Sequence, residues 1–60
     1  MSLGERIIEL RKTAGLSQYA LAKAMDISRQ AVSKWETDQG APDVMNLIRL
    51  ADILTHCNGN

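Results

Sequence analysis

The stretch from Gln18 to Glu36, Gln-Tyr-Ala-Leu-Ala-Lys-Ala-Met-Asp-Ile-Ser-Arg-Gln-Ala-Val-Ser-Lys-Trp-Glu, constrains this chain more than any other. Its apolar residues recur at helical spacing, interrupted once. Leu21, Ala22 and Met25 fall on one side of a first helix, and Ala31, Val32 and Trp35 on one side of a second, at about 100° per residue. Asp26 stands at the sharp turn between them, where a backbone of positive φ favours Gly and next tolerates Asp or Asn. Ser17 and Ser28 each precede a helix, with a hydroxyl able to accept from a free N–H of the first turn. The stretch therefore predicts two short helices joined tightly, with small Ala22 permitting a close crossing.

The second of these helices carries a polar outer face. The rotation that buries Ala31, Val32 and Trp35 turns Arg29, Gln30, Ser33 and Lys34 to the opposite side. All four residue types read base edges in a major groove: Arg or Lys at guanine, Gln at adenine, Ser at either. Arg29 and Gln30 lie at the N-terminal end, where a recognition helix meets the bases. A helical hairpin with a merely solvated outer face would show the same two caps and turn.

The flanking sequence supplies two more helices. Ser2 is placed to cap a first one, with Glu5 three residues later completing a capping box. Leu3, Ile7 and Leu10 form its expected buried stripe, extended by Ala14, with Ile8 off centre and Gly15 as the stop. Leu16 then plugs the core, and Ile27 holds the central turn. The segment Asp38-Gln-Gly-Ala-Pro42 is a loop with two breakers. Asp43 caps a last helix to Leu54 or Thr55, whose wide apolar set is Val44, Leu47, Ile48, Leu50, Ala51 and Leu54. Residues 1–55 thus form one small all-α domain of four helices, and His56 to Asn60 a fraying tail.

Composition excludes several classes. Sixty residues lie near the lower limit for folding without staples. Cys57 is the single cysteine, so no internal disulfide framework exists, and a reducing cytoplasm fits. Adjacent His56 and Cys57 lack the other spaced ligands of a zinc site and any group to orient them as a nucleophilic dyad. Carboxylates are scattered, and there is no Gly-rich phosphate loop. Neither an enzyme nor a cofactor is expected, nor a membrane span or signal peptide. Trp35 and Met25 read as core, Met45 as a gap-filler, and Tyr19 as an outward or edge residue.

Net charge is zero, which by itself counts against nucleic acid. Its distribution is uneven. Through Lys34 the chain holds Arg6, Arg11, Lys12, Lys23, Arg29 and Lys34 against Glu5, Glu9 and Asp26, an excess of three positive charges. From Glu36 onward it holds Arg49 against Glu36, Asp38, Asp43 and Asp52, an excess of three negative ones. The electrostatic drive towards DNA is modest.

Taken together, Leu3-Gly-Glu-Arg-Ile-Ile-Glu-Leu-Arg11, Gly15-Leu-Ser-Gln18, Leu21-Ala22, Ile27 to Glu36, and Pro42 followed by Leu47 to Leu54 carry a family likeness. In order and spacing over nearly the whole chain, it resembles the lambda-repressor-like helix-turn-helix family, also called the Cro or xenobiotic-response-element type. The resemblance implies a four-helix domain, or a truncated five-helix one, with helices 2 and 3 as the motif. It implies a prokaryotic or phage transcriptional regulator, such as a repressor, that places residues 29–37 in the major groove of double-stranded DNA. Ser17, Gln18, Ser28, Arg29, Gln30, Ser33 and Lys34 would face that DNA; Gln18 would touch phosphate and base edge. Arg11 and Glu36 match a pair that bridges the first and third helices, a structural role.

Three departures qualify the likeness. Asp26 replaces the usual turn Gly. Thr37-Asp38 stands where Asn-Gly is frequent, so Asp38 is expected to weaken binding or point away. The pattern ends before the fifth helix with which many relatives dimerise, so a homodimer surface would lie elsewhere, or the chain is an excised domain. The competing function is a protein-interaction module, an antitoxin or coactivator-like domain on the same scaffold; steep loss of affinity with salt would separate DNA binding from it.

Overall fold

The computed structural model describes residues 1–56 and consists of four α-helices: α1 Leu3–Thr13, α2 Gln18–Met25, α3 Arg29–Glu36 and α4 Val44–His56. Local chemistry sets each boundary. At α1 the Ser2 hydroxyl accepts from Glu5 N–H at 3.1 Å while the Glu5 carboxylate accepts from Ser2 N–H at 2.8 Å. Two otherwise unbonded donors are thus satisfied reciprocally. Ser17 and Ser28 accept from Ala20 N–H at 3.0 Å and Ala31 N–H at 3.2 Å. Asp43 accepts from Asn46 N–H at 2.8 Å, opening α4.

Three of the helices stop in the same way. After α1, Gly15 at φ 76° lets Leu16 N–H reach back to Arg11 C=O and Gly15 N–H to Lys12 C=O. Asp26 at φ 58° does this after α2, with Ile27 bonding Ala22 and Asp26 bonding Lys23. Asp38 at φ 61° does it after α3, with Gln39 bonding Lys34 and Asp38 bonding Trp35. This left-handed stop caps the last carbonyls of a helix and normally selects Gly. Two of the three here use Asp, whose short polar side chain tolerates that region.

The core is Ile7, Leu21, Ala22, Met25, Val32, Trp35, Leu50 and Leu54, with Leu10, Ala14, Leu16, Ile27, Ala31 and Ile53 packed around it. Each large side chain buried there contributes roughly 1.5–3 kcal/mol of transfer free energy. α2 packs on α3, α1 on α3, and α4 chiefly on α2.

Two expected stripes are shifted. Leu3 is 43% exposed and Gly4 is buried in its place, whereas Ile7 is buried and Leu10 and Ala14 pack against the core as the stripe expects. The cause is the approach of the α1 N-terminus to the end of α3: a Cβ on Gly4 would lie 2.6 Å from the carbonyl oxygens of Trp35 and Glu36. On α4, the face turned inward is Leu50, Ile53 and Leu54. Val44, Leu47, Ile48 and Ala51 are exposed, as is Met45, which fills no gap. That helix is apolar on two sides: Leu47 and Ala51 border an apolar cleft shared with Leu3, Ile7 and Leu10 of α1, whereas Val44, Met45 and Ile48 are exposed. His56 still belongs to α4, and the remainder of the expected tail, with Cys57, lies outside the described residues.

Candidate nucleic-acid interface

α3 presents two chemically opposite faces. Val32, Trp35 and Glu36 are buried, whereas Arg29, Gln30 and Lys34 are exposed and Ser33 is half-buried. Arg29, Gln30, Ser33 and Lys34 line one shallow cleft, joined by Gln39 from the loop after the helix. Gln39 lies beyond the last helical turn, so periodicity gave no indication of it. A neighbouring cleft, lined by Ser28, Gln30, Ala31, Lys34, Trp35, Gly40 and Ala41, continues this surface.

The other expected site residues sit at the starts of the motif helices. Ser17 and Ser28 are exposed caps. Each accepts from backbone and retains its own O–H proton for a further acceptor. Gln18 is half-buried, with both ends of its amide engaged. Its Nε2 donates to Glu36 Oε1 at 2.8 Å, and its Oε1 accepts from Arg29 at 3.2 Å.

Beneath this surface Arg11 Nε donates to Glu36 Oε2 at 2.6 Å, its second terminal nitrogen to Glu36 Oε1 at 3.4 Å, and its first to Leu16 C=O at 2.8 Å. Arg11 thereby fastens α1, the loop before α2 and the end of α3 in one contact set. Glu36 is 6% exposed. A buried carboxylate is tolerable only when paired and hydrogen-bonded, and no buried side-chain nitrogen or oxygen among the described residues lacks a partner.

Asp38, expected to weaken binding or point away, has a structural partner. Its Oδ1 accepts from Gly4 N–H at 3.1 Å. A carboxylate from the end of α3 thus caps the N-terminus of α1, where unbonded N–H groups and the helix dipole favour negative charge. An acidic residue at a left-handed helix stop was the only sequence signal, and the cap cannot be inferred without knowing which helix end arrives there.

The arrangement offers a rigid polar helix face, flanking hydroxyls and basic side chains. Among the described residues no group of His, Cys, Asp or Glu is placed to hold a metal, and no helix is long and apolar enough to cross a membrane.

The helix-turn-helix family pattern matches residues 7–55. The chain is 41% identical over 54 residues to the HTH-type transcriptional regulator DicA of Escherichia coli, covering 90% of this chain and 40% of DicA. It is 38% identical over 52 residues to repressor protein C2 of Salmonella phage P22, covering 87% of the chain and 24% of C2. Against the HTH-type transcriptional regulator ImmR of Bacillus subtilis it is 36% identical over 53 residues, or 88% of the chain and 42% of ImmR. The chain spans less than half the length of each of these three relatives. No solved structure matches it. With the family pattern over most of its length and four helices in the corresponding order, the chain belongs to the lambda-repressor-like helix-turn-helix family.

Proposed function

We propose that this chain is the sequence-specific, double-stranded DNA-binding domain of a prokaryotic or phage transcriptional regulator, with α3 entering the major groove. The observation that carries this reading is the exposed face of α3: Arg29, Gln30, Ser33 and Lys34 line one cleft, on a helix whose other side is anchored by Val32, Trp35 and Glu36. Arg29 and Gln30, in the first turn, lead to the base edges. Ser33 follows them, and Lys34 reaches base or phosphate. Ser17, Gln18 and Ser28 flank the helix starts, where hydroxyl, amide and backbone N–H groups meet phosphate oxygens. The names of the relatives, transcriptional regulators and a phage repressor, support regulation as the purpose.

Two copies would occupy half-sites about 34 Å apart on an approximate palindrome, which is the docking geometry of the family. The protein acts in the cytoplasm, where its DNA is, and needs no cofactor or catalytic residue. A protein-interaction role has less support, since the named relatives are regulators.

The test is selection of sites from random duplex DNA at low and at physiological salt. Enrichment of an inverted repeat with turn-spaced half-sites is expected. Arg29→Ala should then cost about 1–3 kcal/mol and relax the preference at one base pair. Absence of enrichment at both salts refutes the reading. Equal weakening on all sequences by Arg29→Ala refutes the assignment of Arg29 as a base reader.

A further inference from the structure

The outer side of α4 is apolar and has no covering element among the described residues. Val44 is 72% exposed, Ile48 60% and Leu47 43%, and Leu3 of α1 borders the same cleft as Leu47. At about 100° per residue Val44, Ile48, Ala51 and Thr55 form one ridge along about 16 Å of helix axis, with Leu47 beside it. The ridge carries no charge, since Arg49 and Asp52 lie to one flank. The Thr55 hydroxyl already donates to Ala51 C=O at 2.7 Å, so covering it leaves no donor unpaired. None of these residues lines the clefts of α3, and α4 packs chiefly on α2. The ridge therefore stays accessible while α3 occupies a groove.

We propose that this ridge is a homodimer interface whose occupant is α4 of a second copy, packed antiparallel about a twofold axis between Ile48 and Ala51. The order of sizes singles out that occupant. Along the ridge the residues run large, large, small, small: Val44, Ile48, Ala51, Thr55. An antiparallel copy sets Ile48 against the partner's Ala51 and Val44 against the partner's Thr55, and twofold symmetry repeats both contacts. A parallel copy would oppose large to large and leave a gap between the small residues. The area agrees. With Leu3 and Leu47 the ridge leaves about 400 Å² on water, roughly a tenth of the 3971 Å² surface of the chain, which is the share an interface takes from a small protein. Two copies with their rims would bury about 1,000 Å², the lower limit of a specific contact, so the dimer is weak in solution. DNA strengthens it, and this half of the inference rests on the reading of α3 as the recognition helix. Domains measuring 31 × 25 × 20 Å, seated on half-sites about 34 Å apart, stand side by side at an effective concentration far above that of the free chain.

Sedimentation equilibrium of the whole chain without DNA reads the dimer directly, and a Kd of about 10–100 µM is expected. Ile48→Glu sets two charges at the axis. It should keep the circular dichroism of wild type and weaken association by about thirtyfold or more. Ala51→Ile, which opposes isoleucine to isoleucine, should weaken it by about tenfold, and Ile48→Ala, which opens a gap, by a similar factor. The double variant Ile48→Ala/Ala51→Ile restores large against small and should return to within about threefold of wild type. On DNA, wild type should bind an inverted repeat about tenfold to hundredfold more tightly than two independent half-sites allow. Ile48→Glu should lose that excess and bind a single half-site as wild type does.

A chain that stays monomeric at the highest concentration and binds half-sites independently overturns the inference, and gives the ridge to a partner of another kind. Association that survives Ile48→Glu overturns it too, because the interface then lies elsewhere. So does a double variant as weak as Ala51→Ile, since matched sizes are what the antiparallel register requires. Each of these outcomes leaves the DNA-binding reading standing. Dimerisation through α4 in a chain without sequence preference upholds the interface and refutes that reading.

Discussion

Gly4 is the position at which a single methyl group tests the packing of the whole domain. In Gly4→Ala the new Cβ would stand 2.6 Å from the carbonyl oxygens of Trp35 and Glu36 and 2.9 Å from Asp38 Oδ1. The first two are backbone atoms at the end of α3 and have no rotamer to escape into. Relief requires α1 to back away from α3, which lengthens the 3.1 Å bond from Gly4 N–H to Asp38. Ala in place of helical Gly gains about 1 kcal/mol of propensity. Weakening a part-buried bond to a carboxylate loses at least as much. What remains is overpacking, at about 1–3 kcal/mol. For a domain of this size that corresponds to a fall in Tm of about 5–20 °C. Thermal unfolding followed by far-UV circular dichroism measures it, with Gly40→Ala as control. No atom lies within 4 Å of a Cβ at Gly40, so the control should stay within about 0.5 kcal/mol of wild type. A Gly4→Ala variant that melts at or above wild type, beside a neutral control, refutes the close approach of α1 to α3.

Other perturbations separate the remaining contributions. Arg11→Met leaves Glu36 buried with Gln18 alone and should cost about 3–5 kcal/mol in urea unfolding, much of it recovered when Glu36→Met is added. Asp26→Gly relaxes a left-handed residue and should raise stability by about 0.5–1 kcal/mol, whereas Asp38→Gly relaxes a similar φ but uncaps α1, so it should gain less; equal gains would deny the cap a role. On α4, Leu50→Ala should cost about 2–5 kcal/mol and exposed Ile48→Ser less than about 0.5, and comparable losses from the two would contradict the inward face assigned to this helix.

Sequence alone determined the helices, their caps and the division of α3 into two faces. Each of these is a property of residues within one or two turns of one another. Ser2 with Glu5 specifies its reciprocal pair locally, and Ser17, Ser28 and Asp43 need only the N–H groups that follow them. Ala31, Val32 and Trp35 share a side by rotation alone, which leaves Arg29, Gln30 and Lys34 outside. The family likeness added the pairing of Arg11 with Glu36, across 25 residues that no periodicity connects.

Only the tertiary structure decided which apolar stripe is buried, where Asp38 points and how Gln18 is held. α4 is apolar on more than one side, so its own pattern could not choose between Leu50 with Leu54 and Val44 with Ile48; contact with α2 chose. α1 exchanged Leu3 for Gly4 because the backbone of α3 leaves no room for a side chain there. Asp38 reads against the family pattern as a charge that weakens DNA binding or points away, and becomes a cap because the free N–H of Gly4 is brought to it from 34 residues away. These are contacts between segments remote in the chain, and local propensity carries no information about which remote group will arrive.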